Sequence, residues 1–346
     1  MSNARAALAA LLLAGAPAAC SAVSMPVPYM LGDSALRAVR AGGAGRIRHV
    51  VYIVQENRSF DNLFQGYPGA DTVSSGKDSK GKSIALVPVS LARKYLLDHS
   101  AQAMFADCNG TGTLPGTHCR MNGFDRESHF RVKHLEDPMY VYVPHAESKP
   151  YFEMAHQWVL GDRMFQSQLD ESFTAHQYVI AAQAASSVDL PNLNWGCRGG
   201  GNDYVYTVTS DREPYGPKEM PCFDYQTLAD ELDSANLSWR FYAGRYGGPG
   251  SGSEWSGYQA VKHIYYGPDW KRNVVTPNWQ FITDVRHGRL ADFTWITPVC
   301  DDSDHVDCGG GFGPSWVAAL VNTVGQSKFW GSTAIFVQWD DWGGLY

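Results

Sequence analysis

The sequence predicts an α/β protein with a mainly parallel sheet and helices on both faces. Short apolar runs rich in β-branched and aromatic residues alternate with longer helix-forming segments, which is typical of strands joined by helical crossovers. With 346 residues, the chain is long enough to bury a large core. Charged residues make up 18% of the sequence and aromatic residues 13%, as in a globular protein rather than a disordered one.

The strands are predicted from four apolar runs, and the helices from segments between and after them. The predicted strands are Ile47–Val54, Trp239–Tyr242, Phe293–Thr297 and Ala334–Trp339. The predicted helices are Tyr151–Val159, the segment that begins at Ser172, Tyr225–Leu237, Phe281–Gly288 and Pro314–Ser327. Residues 72–95 are interpreted as a surface excursion, and residues 98–125, with two cysteines and several glycines, as an irregular loop.

The first 45 residues have the pattern of an export signal followed by a tether. Arg5 is followed by an apolar stretch of alanine and leucine, so residues 1–20 are interpreted as a signal peptide. Cys20 is a candidate lipidated residue that would tether the chain to a membrane. Pro17 stands where an aliphatic residue is usual, so ordinary cleavage is the alternative. Residues 21–45 then form a tether and residues 46–346 the folded domain of an exported protein, which is periplasmic, anchored to the outer membrane or secreted.

The cysteines agree with export. Besides Cys20 the chain has six, an even number, as in many disulfide-bonded exported proteins. Six cysteines permit fifteen pairings, and sequence proximity favours Cys108 with Cys119, Cys197 with Cys222, and Cys300 with Cys308. Zinc ligation is the competing interpretation, although the sequence contains no C-x-x-C pair.

The net charge of -7 bears on the partners of the protein. A nucleic-acid-binding surface needs clustered lysine and arginine that displace the counterions of phosphates, and no basic patch is visible in the sequence. Nucleic acid is therefore not an expected partner.

Two of the predicted strands end in acidic or amide side chains. Glu56 and Asn57 follow the first strand, and Asp340 and Asp341 follow the last one. Ligands of open α/β sheets collect at the carboxyl ends of the strands, and carboxylate and amide oxygens suit a hard cation. For Glu56 and Asn57 alone, a turn or a helix cap is an alternative explanation. The acidic pair at the far end of the chain favours one shared site.

Several motifs resemble the bacterial phosphoesterase family, which contains acid phosphatases and phospholipases C and belongs to the alkaline-phosphatase-like superfamily. The resemblance runs in order along the chain and is carried by HVVYIVQENRSFDNLF (His49–Phe64), MNGFDRE (Met121–Glu127), ESFTAHQYVIAA (Glu171–Ala182), SDH (Ser303–His305), GPSWVAALVNTVGQSKFW (Gly313–Trp330) and FVQWDDWGG (Phe336–Gly344). It implies an alkaline-phosphatase-like fold and hydrolysis of phosphate esters.

The resemblance makes Ser172 the expected nucleophile, because family members place a serine or threonine at this position before a similar helix. The residues themselves leave two possibilities, since a serine at a helix N-terminus is also a common cap. Positive dipole and free N–H groups at that end would favour both an alkoxide and a phosphate.

The predicted metal site consists of Glu56, Asn57, Ser172, Asp340 and Asp341. All are oxygen donors, so Ca²⁺, Mg²⁺ or Mn²⁺ fits this set better than a thiolate-preferring ion. The cation would lower the pKa of Ser172, and attack on the substrate would give a phosphoserine that water then hydrolyses.

Histidines are assigned by their order in the family motifs. His305 is the expected proton donor, and Asp302 or Asp304 would raise its pKa. His263 resembles a second histidine that holds the phosphate. His99 lies where the family often carries a histidine pair, but Ala101 and Gln102 stand where the second would fall. His176 is expected to pack in the core rather than line the pocket.

The function expected from these features is metal-dependent hydrolysis of phosphate esters. The DDWGG form resembles the acid phosphatase branch more than the phospholipase C branch, which more often has an Asp-Glu-His version. The alternative is a non-catalytic exported lipoprotein that binds phosphorylated ligands on the same scaffold. Family motifs continue with an Asp-His pair beyond the position of Tyr346, so the sequence is interpreted as a fragment.

Overall fold

The centre of the protein is a five-stranded parallel sheet. The computed structural model describes residues 46–130, 132–246 and 251–346. The strands of the sheet are β1 (His49–Gln55), β2 (Trp239–Tyr242), β3 (Val274–Val275), β4 (Phe293–Ile296) and β5 (Thr333–Trp339), arranged in the order β3-β2-β4-β1-β5. The carboxyl ends of β4, β1 and β5 therefore share one edge. The signal peptide, the tether and lipidation at Cys20, all predicted within residues 1–45, lie outside the described residues.

Neighbouring residues of β1 point to opposite faces of the sheet. Val51 and Ile53 are fully buried in one apolar cluster, whereas Tyr52 packs against a second cluster on the other face. The register of β1 with β5 pairs Gln55 with Trp339, so the residues that follow the two strands begin level with each other. This register positions the site described below.

Helices cover both faces. They are α1 (Phe60–Phe64), α2 (Ala101–Cys108), α3 (His145–Gln157), α4 (Ser172–Ala181), α5 (Leu228–Ser234), α6 (Lys262–Tyr266), α7 (Pro268–Asn273), α8 (Gln280–Arg286) and α9 (Gly313–Gly325). Helices α3, α8 and α9 contribute to the cluster that contains Val51. Helices α4, α5 and α6 contribute Ile180, Ala229 and Ile264 to the opposite cluster. The predicted fold class is confirmed.

A third apolar cluster lies outside the sheet and corrects one prediction. Residues 72–95 are not only a surface excursion, because Ile84, Leu86 and Val89 are buried in this cluster beside Tyr140 and Leu345. Short paired strands hold the region together: Ser75–Lys77 with Ser83–Ala85, Val87–Pro88 with Val141–Tyr142, and Leu96–Leu97 with His129–Phe130. Another small sheet contains Ser187–Val188, Val205–Thr207 and Lys218–Glu219.

The prediction of an irregular loop over residues 98–125 is also wrong in part, because α2 lies inside it. Ser100 caps this helix by accepting a hydrogen bond from the N–H of Ala103 at 3.3 Å, and Asn109 ends it in a left-handed conformation. The sequence signal was hidden by the glycines and the second cysteine that follow. The strand β3 and the helices α6 and α7 were not predicted either.

Three disulfides join the predicted partners: Cys108 with Cys119, Cys197 with Cys222, and Cys300 with Cys308. All three pairings were predicted from sequence proximity, and they fit an exported protein. Within the part of the chain that the structure describes, no helix combines the length and apolar character that a membrane span requires.

The Cys300–Cys308 disulfide closes a short loop after β4, and its removal should loosen that loop. Replacing both cysteines by serine should lower the free energy of unfolding by about 2–4 kcal/mol, because the unfolded chain regains entropy. Amide exchange of residues 303–305 should accelerate more than in a control with Cys197 and Cys222 replaced. Equal exchange of these amides in the two double variants would contradict a local role.

Candidate functional site

The ends of β1 and β5 are joined beyond the last residues of the strands. The N–H of Asp340 donates to the carbonyl oxygen of Gln55 at 3.0 Å, and the N–H of Asn57 donates to Oδ1 of Asp340 at 2.9 Å. Asn57 adopts a left-handed backbone conformation with φ of 52°, which an asparagine tolerates better than most residues. Glu56, Asn57, Asp340 and Asp341 are all buried at this edge.

The Asn57 amide connects this edge to Ser172. Its Nδ2 donates to Oγ of Ser172 at 3.0 Å and to the carboxylate oxygens of Asp341 at 3.0 and 2.9 Å. Asn57 was predicted as a metal ligand through its carbonyl oxygen. In the structure the nitrogen side of the amide faces Ser172 and Asp341, so Asn57 acts as a hydrogen-bond donor within the cluster.

Ser172 is the first residue of α4, and Glu171 occupies the N-cap position before it. The Ser172 hydroxyl lies 3.4 Å from Oε2 of Glu56 and 3.4 Å from Oδ2 of Asp341. It is therefore directed into the acidic cluster, and the N-cap position that was its alternative role belongs to Glu171. The five predicted metal-site residues are all brought together.

His176 also belongs to the cluster, which corrects the expectation that it packs in the core. Its Nε2 lies 2.9 Å from Oε1 of Glu56 and 3.7 Å from Oδ2 of Asp340, and the side chain is buried. Burial lowers the pKa of His176 to about 4, so the ring is neutral at neutral pH. The signal in the sequence was its position four residues after Ser172, which places both side chains on the same helix face.

A bound cation would offset the repulsion among the buried carboxylates of this cluster. Burial raises the pKa values of Glu56 and Asp341 well above the usual carboxyl range, and the negative charge of Asp340 adds to both shifts. Within residues 46–130, 132–246 and 251–346, Oδ2 of Asp340 has no hydrogen-bond partner although it is buried. Ligand atoms of Glu56, His176 and Asp340 lie within 4.8 Å of one another. These residues fit a divalent metal ion, and the imidazole nitrogen extends the predicted oxygen-only donor set.

A second acidic group, formed by Asp170, Glu171 and Asp189, begins next to Ser172. The Asp170 carboxylate accepts hydrogen bonds from the backbone N–H groups of Glu171, at 2.8 Å, and Asp189. These bonds fix the chain that enters α4. The role of Asp170 is thus explained by the backbone groups it binds.

Gln55 and Arg58 fasten the loop after β4 to the end of β1. The Gln55 side chain donates to the carbonyl oxygen of Asp302 at 2.9 Å and accepts from the N–H of Asp304 at 3.0 Å. The Arg58 guanidinium donates to the carbonyl oxygen of Asp304 at 2.6 Å. Neither residue was singled out in the sequence, because their partners are more than 240 positions away.

His305 is carried by this loop, but its environment differs from the prediction. The Asp304 carboxylate turns away from it and accepts hydrogen bonds from Tyr151 Oη at 2.7 Å and Trp339 Nε1 at 2.9 Å. Burial, with a smaller contribution from His99, lowers the pKa of His305 to about 3. The expectation that Asp302 or Asp304 raises this pKa is wrong.

His99 connects His305 to the residue before Ser172. The two imidazole rings meet edge to face at 5.9 Å, and Nε2 of His99 lies 3.5 Å from Oε2 of Glu171. Its Nδ1 is 2.9 Å from the carbonyl oxygen of Leu97, which requires a hydrogen on that nitrogen. The sequence left the role of this segment in doubt, and the structure places His99 at the site.

His263 is not brought to the cluster. It lies on α6 with a partly exposed side chain, and its two ring nitrogens contact Asp224 at 2.8 Å and Asp230 at 3.0 Å. These partners explain the position of His263 without a phosphate.

A cleft of about 390 Å³ opens beside Glu171. It is lined by acidic, polar and aromatic residues, namely Asp98, Ser100, Glu171, Asp189, Leu190, Asn192, Tyr204, Tyr206 and Tyr215. Nζ of Lys218 lies 3.6 Å from the ring centre of Tyr204 and 5.1 Å from that of Tyr206. The aromatic wall therefore already contacts one ammonium group.

Comparison with known proteins agrees with the motif resemblance. The sequence model of the phosphoesterase family matches residues 47–346. Placement of the chain in the alkaline-phosphatase-like superfamily stays a prediction.

Curated relatives are similar at low identity. Phospholipase C A of Mycobacterium tuberculosis is 23% identical over 323 residues, which cover 87% of this chain and 59% of the relative. The non-hemolytic phospholipase C of Burkholderia pseudomallei is 23% identical, with 97% and 50% covered. The hemolytic phospholipase C of Pseudomonas aeruginosa is 21% identical, with 89% and 44% covered. This chain spans about half the length of these relatives.

The lowered pKa of His305 predicts a pH dependence of stability. Between pH 6.5 and 3 the folded chain keeps His305 neutral, while the unfolded chain, with a histidine pKa of about 6.5, takes up a proton. The free energy of unfolding should therefore fall as pH is lowered through this window. His99 and His176 are shifted in the same direction, so the test is a difference between variants.

In His305→Asn the decline should be shallower than in the wild type, measured by denaturant unfolding at several pH values. His287→Asn, which changes an exposed histidine, is the control and should keep the slope of the wild type. Parallel curves for His305→Asn and the wild type would show that His305 is not held neutral.

Proposed function

Since this chain belongs to the phosphoesterase family, we propose that it hydrolyses phosphate esters by attack of the Ser172 hydroxyl on phosphorus. The observation that carries this proposal is the position of Ser172. It begins α4, its Oγ accepts a hydrogen bond from the Asn57 amide, and it lies 3.4 Å from Glu56 and Asp341. This buried hydroxyl lies at a helix N-terminus and beside acidic residues that can hold a cation. Both features favour binding of a phosphate next to the hydroxyl, which could then act as the nucleophile.

Glu56, His176 and Asp340 would hold the metal ion, with Asp341 and Asn57 beside them. When bound, the cation supplies positive charge for the phosphoryl oxygens and lowers the pKa of the attacking hydroxyl. The protein contributes the fixed orientation of Oγ. The Asn57 amide donates to that oxygen, so a developing negative charge on it is stabilised by a hydrogen bond that already exists.

The chemistry proceeds in two displacements. In the first, a bond forms between Ser172 Oγ and phosphorus, while the bond from phosphorus to the leaving-group oxygen breaks. In the second, water attacks the phosphoserine, and Ser172 is released together with inorganic phosphate or a phosphomonoester. The free N–H groups at the start of α4 are suited to bind phosphoryl oxygens during both steps.

His305 is the proposed proton donor to the leaving group. Its Nδ1 accepts a hydrogen bond from the N–H of Asp307 at 3.1 Å, so the hydrogen of the neutral ring lies on Nε2. From Nε2 the neutral ring can donate a hydrogen bond to the leaving oxygen, and the proton that Ser172 gives up to solvent balances the proton that the leaving oxygen takes up. The contacts of His99 with His305 and Glu171 support a place for this donor near Ser172.

Replacing Ser172 distinguishes an enzyme from a protein that only binds phosphorylated ligands. Ser172→Ala should reduce turnover of p-nitrophenyl phosphate by at least a thousandfold, because water must replace a positioned nucleophile. Phosphate binding should be retained, since the other site residues remain. Acid quenching of the wild type during turnover should leave a phosphate adduct on the Ser172 peptide.

The matched control is Thr227→Ala, which removes the cap of α5 far along the chain. It should cost about 1 kcal/mol of stability and leave turnover unchanged. Near-normal turnover in Ser172→Ala would refute the mechanism. A wild type that binds phosphate and hydrolyses no phosphate ester would favour the binding protein.

Among phosphate esters, the DDWGG motif at Asp340–Gly344 favours a phosphomonoester substrate, as in acid phosphatases. The names of the relatives support phospholipase C as the second candidate. The cleft beside Glu171 also supports it, because tyrosine rings and carboxylates suit the ammonium of a lipid headgroup.

The two candidates differ in their best substrate. We expect kcat/KM for p-nitrophenyl phosphate to exceed that for phosphatidylcholine in mixed micelles by at least tenfold. Release of phosphate reports the first substrate, and release of diacylglycerol reports the second. A higher kcat/KM for phosphatidylcholine, which Tyr204→Ala lowers while p-nitrophenyl phosphate turnover stays unchanged, would favour the phospholipase.

A further inference from the structure

Two buried carboxyl groups lie outside the site described above. Asp107 is in α2, and Glu127 follows the short turn Phe124–Arg126 within the MNGFDRE motif. Their exposed fractions are 1% and 6%. Both border residues 342–346, the segment that follows Asp341. The proposed reaction gives this pair no role.

Most oxygens of the pair lack a hydrogen-bond donor. Oδ2 of Asp107 accepts from Nε1 of Trp342 at 2.9 Å. Oδ1 of Asp107 and both carboxylate oxygens of Glu127 are buried without a hydrogen-bond partner in the described ranges, which leave out only residues 1–45, 131 and 247–250. The two carboxyl groups are close enough to share a hydrogen bond when one of them is protonated.

A single shared proton does not satisfy this arrangement. One proton between two carboxyl groups provides a donor for one oxygen and satisfies the oxygen that carries it. Three oxygens lack partners, so one would stay buried and unsatisfied, which costs free energy. A cation satisfies all three at once.

The surrounding charges also favour a cation. The further ionisable groups are acids that add to the effect of burial: Asp98 acts on both carboxyl groups, and Asp125 acts on Asp107. Together these effects raise the pKa of Asp107 to about 7 and that of Glu127 to about 12. The unpaired buried oxygens and the acidic surroundings of the pair therefore both favour a bound cation.

Gly344 packs directly against the pair. A methyl carbon added there would lie 2.1 Å from Oε1 of Glu127 and 2.8 Å from the carbonyl oxygen of Asp98, so these two oxygens lie beside the same point of the backbone. Gly344 has a φ of 71°, which a glycine adopts without strain. Carboxylate and carbonyl oxygens are ligands that Ca²⁺ prefers.

We propose that Asp107 and Glu127, with the carbonyl oxygen of Asp98, bind a Ca²⁺-type cation that is separate from the ion at Ser172. Glu127 can contribute both oxygens and Asp107 contributes Oδ1. The cation joins α2, the turn before Glu127 and residues 342–346. Because Trp342 directly follows Asp341, the site holds the end of the catalytic cluster in place. Its role is structural and does not depend on the proposed reaction.

The test is a count of bound cations in variants of the full chain. After removal of metal by a chelator, equilibrium dialysis with Ca²⁺ should show one equivalent in Asp340→Asn/Asp341→Asn, in which the ion site at Ser172 is disabled. Adding Glu127→Gln to that variant should weaken the remaining binding at least tenfold. Ca²⁺ should raise the melting temperature only when Glu127 is present.

Asp203→Asn is the matched control. Asp203 is equally buried, but its carboxylate is satisfied by the N–H groups of Leu193 and Asn194, so its replacement should not change the Ca²⁺ count. If Glu127→Gln does not fold, Asp107→Asn and the Ca²⁺ titration of Asp340→Asn/Asp341→Asn decide. No saturable Ca²⁺ binding in that background, or unchanged binding without Glu127, would overturn the proposal and favour a shared proton.

Discussion

The structure depends on the repulsion among buried carboxylates at the end of the central sheet. Glu56, Asp340 and Asp341 are held together, although the negative charge of Asp340 disfavours ionisation of the other two. The pairing of β1 with β5 fixes them there, and the bond from Asn57 N–H to Asp340 prevents them from moving apart. The apolar clusters on both faces supply the stability that offsets this repulsion. Such a site suits a cation, because its carboxylates cannot move apart to lower their repulsion.

The parts of the protein that surround this cluster are arranged by hydrogen bonds to backbone groups. Gln55 and Arg58 hold the loop that carries His305, and Asp170 fixes the chain that enters α4. Gln168 donates from its side chain to the carbonyl oxygen of Asp340 at 3.1 Å. Side chains from distant parts of the sequence therefore position the backbone of the site, so its geometry does not rely on flexible contacts between charged groups.

The sequence predicts much of this arrangement, and the limits of that prediction have a physical basis. Glu56 and Asp341 were found because each follows an apolar strand, and parallel strands bring their carboxyl ends to one edge. The position of His176 was predicted wrongly because a histidine on a buried helix face has the same sequence pattern whether it packs in a core or lines a site. The low pKa of His305 was missed because it comes from burial and from His99, which the sequence does not place beside it. The Asp304 carboxylate does not oppose this shift, since it is bound by Tyr151 and Trp339, which are distant in sequence.

Gly343 places the segment after Asp341 directly against the backbone of Asn57, beyond the end of β1. A methyl carbon on Gly343 would lie 2.2 Å from the carbonyl oxygen of Asn57, and Gly343 itself has a φ of 66°. Each constraint alone disfavours any other amino acid. A segment rich in glycine is usually considered a hinge, but here it forms a close contact between two backbone segments. Movement of either segment would displace Asn57 and Asp341 together, so these two residues are expected to move as a rigid pair.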